Sequence, residues 1–258
     1  MAVPPKIPRA ALVTGGAKRI GRSIALALAE AGFDLAIHHH DSKDEAEETA
    51  AAIRAMGRRA TLLRADLSRE EEVESLIPDA TARLGPIGVL VNNASRFERD
   101  EWDSATRESW DRHIEPNLRA PFVLTQALAL ALPDEAEGAV VNLLDQRVLS
   151  LTPHFVSYTV SKAALWALTQ SMALALAPRI RVNGIGPGPT IASTRQTEAQ
   201  FRAQCESTPL GHGSSPEEIA RGVMAILSLP AMTGQMIALD GGQHLQWSSA
   251  RGHGGPEE

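Results

Sequence analysis

The sequence predicts an α/β fold: a doubly wound parallel sheet with helices on both faces, built as a single domain. Three observations predict it. Short apolar runs of strand length alternate with segments of helical periodicity. The segments between runs are long enough to carry the chain back across a sheet as a helix, which parallel pairing requires. No linker, shift in composition or internal repeat interrupts the series over 258 residues, a length that suits one large α/β domain.

After a proline-rich arm over residues 1–8, the run Arg9 to Thr14 flows into Gly15-Gly16, and Ser23 to Ala31 repeats apolar residues at helical spacing until Gly32. This is strand, glycine turn, helix. Asp34 to Ile37 is the next strand, followed by a polar turn and an acidic helix from Asp44 to Met56. Thr61 to Arg64 is a third strand, a helix runs from about Ser68 to Leu84, and Val89 to Asn92 is the fourth strand. A helix-rich region from Ala105 to Leu132 precedes strand Ala139 to Leu143, a long helix around Tyr158, and strand Arg181 to Ile185. Gly186-Pro187-Gly188-Pro189 stops that strand; residues 190–213 are polar, lack periodicity and read as a mobile segment over the site. Pro216 opens a further helix, and Gln235 to Leu239 is the last strand of a domain spanning 9–247. The Gly-, Pro- and charge-rich stretch 248–258 reads as a disordered tail.

Composition limits function. Hydrophobic residues are 43% of the chain but aromatics only 4%, so aliphatic side chains fill the core. The net charge of −6 is dispersed, which excludes the basic footprint of a nucleic-acid or anionic-membrane binder. No apolar run reaches the roughly 18 residues of a membrane span, and the N-terminus lacks the apolar core of a signal peptide. A cytoplasmic protein acting on small molecules is expected. Cys205 is the single cysteine, too few for a disulfide or a cysteine metal site. His38, His39 and His40 are adjacent along a strand end, where side chains alternate faces, so they do not converge on one ion and no metal is expected.

Chemistry concentrates at two places. The turn Thr14-Gly15-Gly16-Ala17-Lys18-Arg19-Ile20-Gly21 lies between the first strand and helix, where backbone N–H groups and a helix N-terminus can cradle a pyrophosphate. Further along, Tyr158 and Lys162 stand at i and i+4, so a phenol and an ammonium share one helix face and the cation lowers the cost of a phenolate. Asp145 ends the preceding strand, 13 positions before Tyr158. A carboxylate there accepts hydrogen bonds, and a protonated carboxyl donates one.

Together the TGxxxxxG turn, Asn92-Asn93-Ala94-Ser95 after the fourth strand, Tyr158-x3-Lys162 and the Pro187-Gly188 turn resemble the short-chain dehydrogenase/reductases over Ala10 to Gly242. The resemblance implies a Rossmann-like sheet of about seven strands, a nicotinamide cofactor and a homotetramer or homodimer. It places Gly15, Lys18, Arg19, Ile20, Gly21, Asn93, Ala94, Tyr158, Lys162, Pro187 and Gly188 at the cofactor, with Asp66 and Leu67 at adenine. Arg19 stands where the family has a glycine, and Lys18-Arg19-Ile20-Gly21 is similar to the pteridine reductase branch, including bacterial dihydromonapterin reductases. That branch also has an acid at the place of Asp145 and a phenylalanine at the place of Phe97, which stacks on the flat heterocycle; Phe97 as a loop anchor is the plainer reading.

The end of the second strand bears on the choice of cofactor. His40 falls where NAD-specific members carry an acid, and Asp41 where NADP-specific ones commonly carry arginine. Lys18, Arg19, His38 and Ser42 favour NADPH, with NADH as the alternative. The resemblance then implies hydride transfer to a C=N carbon of a dihydropteridine, of dihydromonapterin, dihydrobiopterin or dihydrofolate type. Tyr158 protonates ring nitrogen, assisted by Asp145 and Lys162, and Asn117 kinks its helix beside a proton-relay water. Arg19, Ser95, Phe97, Asp145 and Tyr158 form the substrate site; Ser95 and Thr190 equally suit loop hydrogen bonding. One alternative is a ketone or 3-oxoacyl reductase, whose usual serine is missing although Ser150 is near in sequence. The other is a regulator that binds NADP without turning it over.

Overall fold

A computed structural model describes residues 3–193 and 195–246. The strands are β1 (Ala10–Val13), β2 (Asp34–His39), β3 (Ala60–Arg64), β4 (Val89–Asn92), β5 (Gly138–Leu143), β6 (Ile180–Pro187) and β7 (Met236–Leu239). They form one sheet of seven parallel strands in the order β3-β2-β1-β4-β5-β6-β7. The order reverses at β1, which lies between β2 and β4. The crevice beyond the carboxyl ends of β1 and β4 is therefore the place where such a sheet binds ligand.

Alternation along the strands sends successive residues to opposite faces. Ala11, Val13, Val89 and Val91 join one apolar cluster with α1 (Arg19–Glu30), α2 (Lys43–Ala55) and α8 (Pro216–Ser228). Ala10, Leu12 and Leu90 join the other, with α3 (Glu70–Leu84), α5 (Ala120–Ala131) and α6 (Val156–Leu176). The N-terminal arm contributes to the core, since Val3 and Ile7 are buried. Gly88 makes room for it: a Cβ there would lie 2.3 Å from the Pro8 carbonyl oxygen.

Element edges differ from the sequence reading for identifiable reasons. β2 runs on through His38 and His39 because they pair with Leu63 and Arg64 of β3. β6 continues to Pro187, which pairs in register with Leu239. The region 105–132 divides into α4 (Arg107–Ile114), a π-helical turn (Glu115–Arg119) and α5. Such turns interrupt the i→i−4 ladder, frequently at functional sites. Within 190–213 the structure has α7 (Glu198–Glu206), started by a reciprocal capping box between Thr197 and Gln200. No residue of α7 is buried, so it has no apolar stripe for a periodicity reading to find. The expected tail 248–258, with Trp247, lies outside the described residues.

Candidate active site

The glycine turn is held open by close approach. Gly15 has φ +61°, and a Cβ on Gly21 would lie 2.0 Å from the Gly15 carbonyl oxygen, so only glycine fits there. Asn93 fastens the turn from β4: its Nδ2 donates to the carbonyls of Thr14 at 2.8 Å and Gly15 at 3.2 Å. The Thr14 hydroxyl oxygen accepts from the Asn93 and Ala94 amides. Arg19 has φ +54°, which explains why related turns place glycine here. A side chain kept in that conformation costs about 1–2 kcal/mol. Its guanidinium faces the cavity and donates to the Ala192 carbonyl at 3.2 Å.

His38 supports this turn from beneath. The Gly15 amide donates to its Nδ1 at 3.1 Å, and its Nε2 donates to the Ala65 carbonyl at 3.1 Å. Burial lowers its pKa to about 4, outweighing the Ala65 bond, so the imidazole is neutral. Both ring nitrogens are thus engaged by backbone, and His38, counted in the sequence among the residues favouring NADPH, lines neither of the two cavities beside the turn. His40 lies 3.4 Å from Asp41 and 4.0 Å from Asp66, while the Lys18 ammonium pairs with Glu45 at 3.0 Å. Ser42 stands at the N-cap of α2, and Asp66 closes a turn by accepting from the Ser68 amide and hydroxyl. Ser42, Asp66 and Leu67 lie outside the walls of the two adjoining cavities.

Those cavities bring most of the other named residues together. The larger, about 570 Å³, is lined by Gly15, Lys18, Arg19, Ile20, Gly21, Asn93, Ala94, Ser95, Phe97, Asp145, Tyr158, Lys162, Pro187 and Gly188. The smaller, about 180 Å³, shares Arg19, Phe97, Asp145 and Tyr158 and adds four glutamines, Gln146, Gln196, Gln204 and Gln243. Where the cavities meet, the Tyr158 hydroxyl donates to Asp145 Oδ2 at 2.8 Å. Asp145 Oδ1 accepts from the Arg147 amide at 2.8 Å, capping the short 3₁₀ turn Gln146–Val148. That bond fixes the carboxyl beside the phenol.

Lys162 is buried and its Nζ donates to the Leu143 carbonyl at 2.7 Å. Burial draws its pKa down to about 8, opposed by the negative Asp145. Its Nζ lies 5.9 Å from the Tyr158 ring centroid. Asn117, in the π-helical turn, does not line either cavity. Its Nδ2 donates to the Arg96 carbonyl and Ser161 hydroxyl, and its Oδ1 accepts from the Arg96 amide and Ser95 hydroxyl. With two donors and two acceptor sites filled by protein, the side chain fastens the loop carrying Phe97 to α6.

Phe97 meets the Tyr158 ring edge-on at 4.7 Å and stacks on Phe155 at 4.7 Å and 7°. Three residues that shape this wall escaped the sequence reading. Arg147 puts its guanidinium 5.3, 5.1 and 5.8 Å from the Phe97, Phe155 and Tyr158 rings and 3.9 Å from Asp145 Oδ2. A basic residue two places after the strand-end acid was the available signal. Phe155 has φ +57°, a strained conformation for a bulky side chain that no sequence pattern reveals. Arg195 donates to the Phe97 carbonyl at 3.2 Å, so the segment after β6 is tied across the cavity at both Arg19 and Phe97.

A family model described as enoyl-(acyl carrier protein) reductase matches residues 15–244. The chain belongs to the short-chain dehydrogenase/reductase family. Among solved structures it is similar to FolM alternative dihydrofolate reductase 1 from Brucella suis in complex with NADP, at 47% identity and a TM-score of 0.90, covering 93% of this chain and 96% of that one. The Brucella canis protein of the same name, also with NADP, is 45% identical with a TM-score of 0.88, over the same shares of the two chains. Among curated relatives, 3-oxoacyl-[acyl-carrier-protein] reductase FabG of Staphylococcus epidermidis is 32% identical over 92% of this chain and 99% of its own length. By these likenesses this chain is an NAD(P)-dependent oxidoreductase of the family.

Proposed function

We propose that this short-chain reductase uses NADPH to reduce a dihydropteridine to its tetrahydro form. The observation that carries the reading is the 2.8 Å bond from the Tyr158 hydroxyl to Asp145. A carboxylate stands where carbonyl reductases of the family use serine, and it suits a heterocycle that offers N–H donors and takes a proton at nitrogen. The four glutamines of the smaller cavity suit a polar ligand better than an acyl chain. The 45–47% identity to the Brucella FolM structures supports the same substrate class and NADPH.

The cofactor fits the residues present: the close Gly15–Gly21 approach leaves backbone exposed to a pyrophosphate, and Gly188 cannot carry a Cβ, which would lie 2.6 Å from Asp240 Cα. When bound, NADPH would supply the hydride for the carbon of the C=N bond. Tyr158 gives its proton to the nitrogen. The Lys162 ammonium, held by Leu143, stabilises the resulting phenolate and keeps two N–H groups free of that bond for the nicotinamide ribose. Asp145 orients the phenol and the substrate. The second reading, a 3-oxoacyl or ketone reductase, draws on the FabG relatives and the family model; Ser150, its possible serine, lines neither cavity.

Following NADPH absorbance with purified protein against dihydropterins, dihydrofolate, ketones and a 3-oxoacyl thioester separates the readings. Dihydropterin turnover is the expected result, with NADPH preferred to NADH. Activity on carbonyls alone overturns it, and cofactor binding with no turnover favours a sensor. Self-association into a dimer or tetramer belongs to the same reading: Leu130 on α5 and Leu174 on α6 are 82% and 84% exposed, and sedimentation checks it.

A further inference from the structure

Behind the Phe97–Tyr158 wall lies a buried polar chain with no place in the chemistry above. His113, on the last turn of α4, is fully buried and lines neither cavity. The Glu98 amide donates to its Nε2 at 3.0 Å, so Nε2 carries a lone pair and the proton sits on Nδ1. Nδ1 lies 2.7 Å from the Ser157 hydroxyl and 3.0 Å from the Ser109 carbonyl. The Ser157 hydroxyl in turn donates to Asp100, which also accepts from the Ser157 amide at 3.1 Å and the Ser109 hydroxyl at 3.0 Å. The donors run in one direction, from His113 through Ser157 to the Asp100 carboxylate. Burial works against that charge, but the hydrogen bonds from Ser157 and Ser109 outweigh it and lower the Asp100 pKa.

The sequence neighbours of this chain give it a consequence. Glu98 directly follows Phe97, Ser157 directly precedes Tyr158, and the imidazole meets the Tyr158 ring edge-on at 6.0 Å. We propose that His113 is a positioning residue: as a neutral imidazole bridging the Glu98 amide and the Ser157 hydroxyl, it sets Phe97 against Tyr158 and so governs substrate binding. This rests on the reading above that Phe97 faces the substrate. Protonation would place an Nε2–H against the Glu98 N–H, and the bridge would open. The charged and titratable groups around the ring are Arg96, Glu98 and Asp100 of the loop and Tyr158 of α6. Burial lowers the His113 pKa, so the bridge holds at neutral pH and is lost on acidification below the ordinary histidine value of about 6.5.

The test compares His113→Leu, which removes the bridge, with His113→Gln, whose amide can accept from Glu98 and donate to Ser157 without titrating. With a dihydropterin substrate, His113→Leu raises KM about tenfold, the worth of one buried hydrogen bond, while kcat falls less and NADPH affinity holds. His113→Gln restores KM, and the rise in KM expected of wild type on acidification is absent from it. Faster exchange of the Glu98 amide in His113→Leu reports the open bridge without any substrate. An unaltered KM in His113→Leu, a loss confined to kcat, or a His113→Gln variant as impaired as Leu overturns the proposal. If His113→Leu does not fold, the pH dependence of wild type against His113→Gln decides alone. If the enzyme reduces only a carbonyl compound, the pterin reading fails, and the same KM comparison with that compound still judges His113.

Discussion

At the residue scale, the Asp145–Tyr158–Lys162 cluster makes two sharp demands. In the proposed reaction Tyr158 donates the proton, and positioned proton transfer is worth about 10²- to 10⁴-fold. Tyr158→Phe should therefore lose that much kcat while titrating NADPH normally by fluorescence; undiminished turnover would remove Tyr158 from the mechanism. Lys162 must be an ammonium to stabilise the phenolate, and its pKa is pulled down to about 8 by burial. The charged form is present below that value and lost above it. Reductive kcat/KM should accordingly fall as pH rises through about 8, and a flat profile to pH 9.5 would contradict the role. The sequence showed these three residues because helix geometry ties Tyr158 to Lys162 and the strand end places Asp145. It did not show Arg147 and Phe155, whose contacts arise from a 3₁₀ turn and a left-handed residue that bring together side chains from separate loops.

At the element scale, the glycine turn depends on the end of β2. His38 holds Gly15 and Ala65 as a neutral ring with a pKa of about 4, against about 6.5 in the unfolded chain. The folded state thus binds fewer protons, so its contribution is complete above pH 6.5 and is lost as pH falls towards 4. The slope is about 1.4 kcal/mol per pH unit in that window. Urea unfolding between pH 4 and 8 should show this slope in wild type and a shallower one in His38→Gln, and identical slopes would refute it. The histidine cluster was visible in the sequence as the strand end that bears on the choice of cofactor. That His38 serves beneath the turn follows from β2 running two residues further in register with β3.

For the molecule as a whole, the N-terminal arm completes one of the two apolar layers, through Val3 and Ile7. Ile7 is 1% exposed in the layer that also holds α1 and α8. Ile7→Ala should cost about 2 to 5 kcal/mol in chemical denaturation, whereas a dispensable arm would cost almost nothing. The proline-rich composition of that stretch suggested a separate arm because proline denies it regular structure. Packing against Gly88 is what makes it part of the core.

The sequence by itself determined the alternating α/β architecture, the glycine turn and the tyrosine–lysine face, because strand alternation, helical spacing and close-approach glycines are local rules. Strand boundaries, helix α7 and the role of His38 were decided by tertiary structure. Pairing register extends a strand beyond its apolar run, and a capping box starts a helix that has no apolar face. The chain from His113 through Ser157 to Asp100 spans residues up to 57 positions apart. Only folding brings such partners within hydrogen-bond distance, and burial then makes each of those bonds costly to lose.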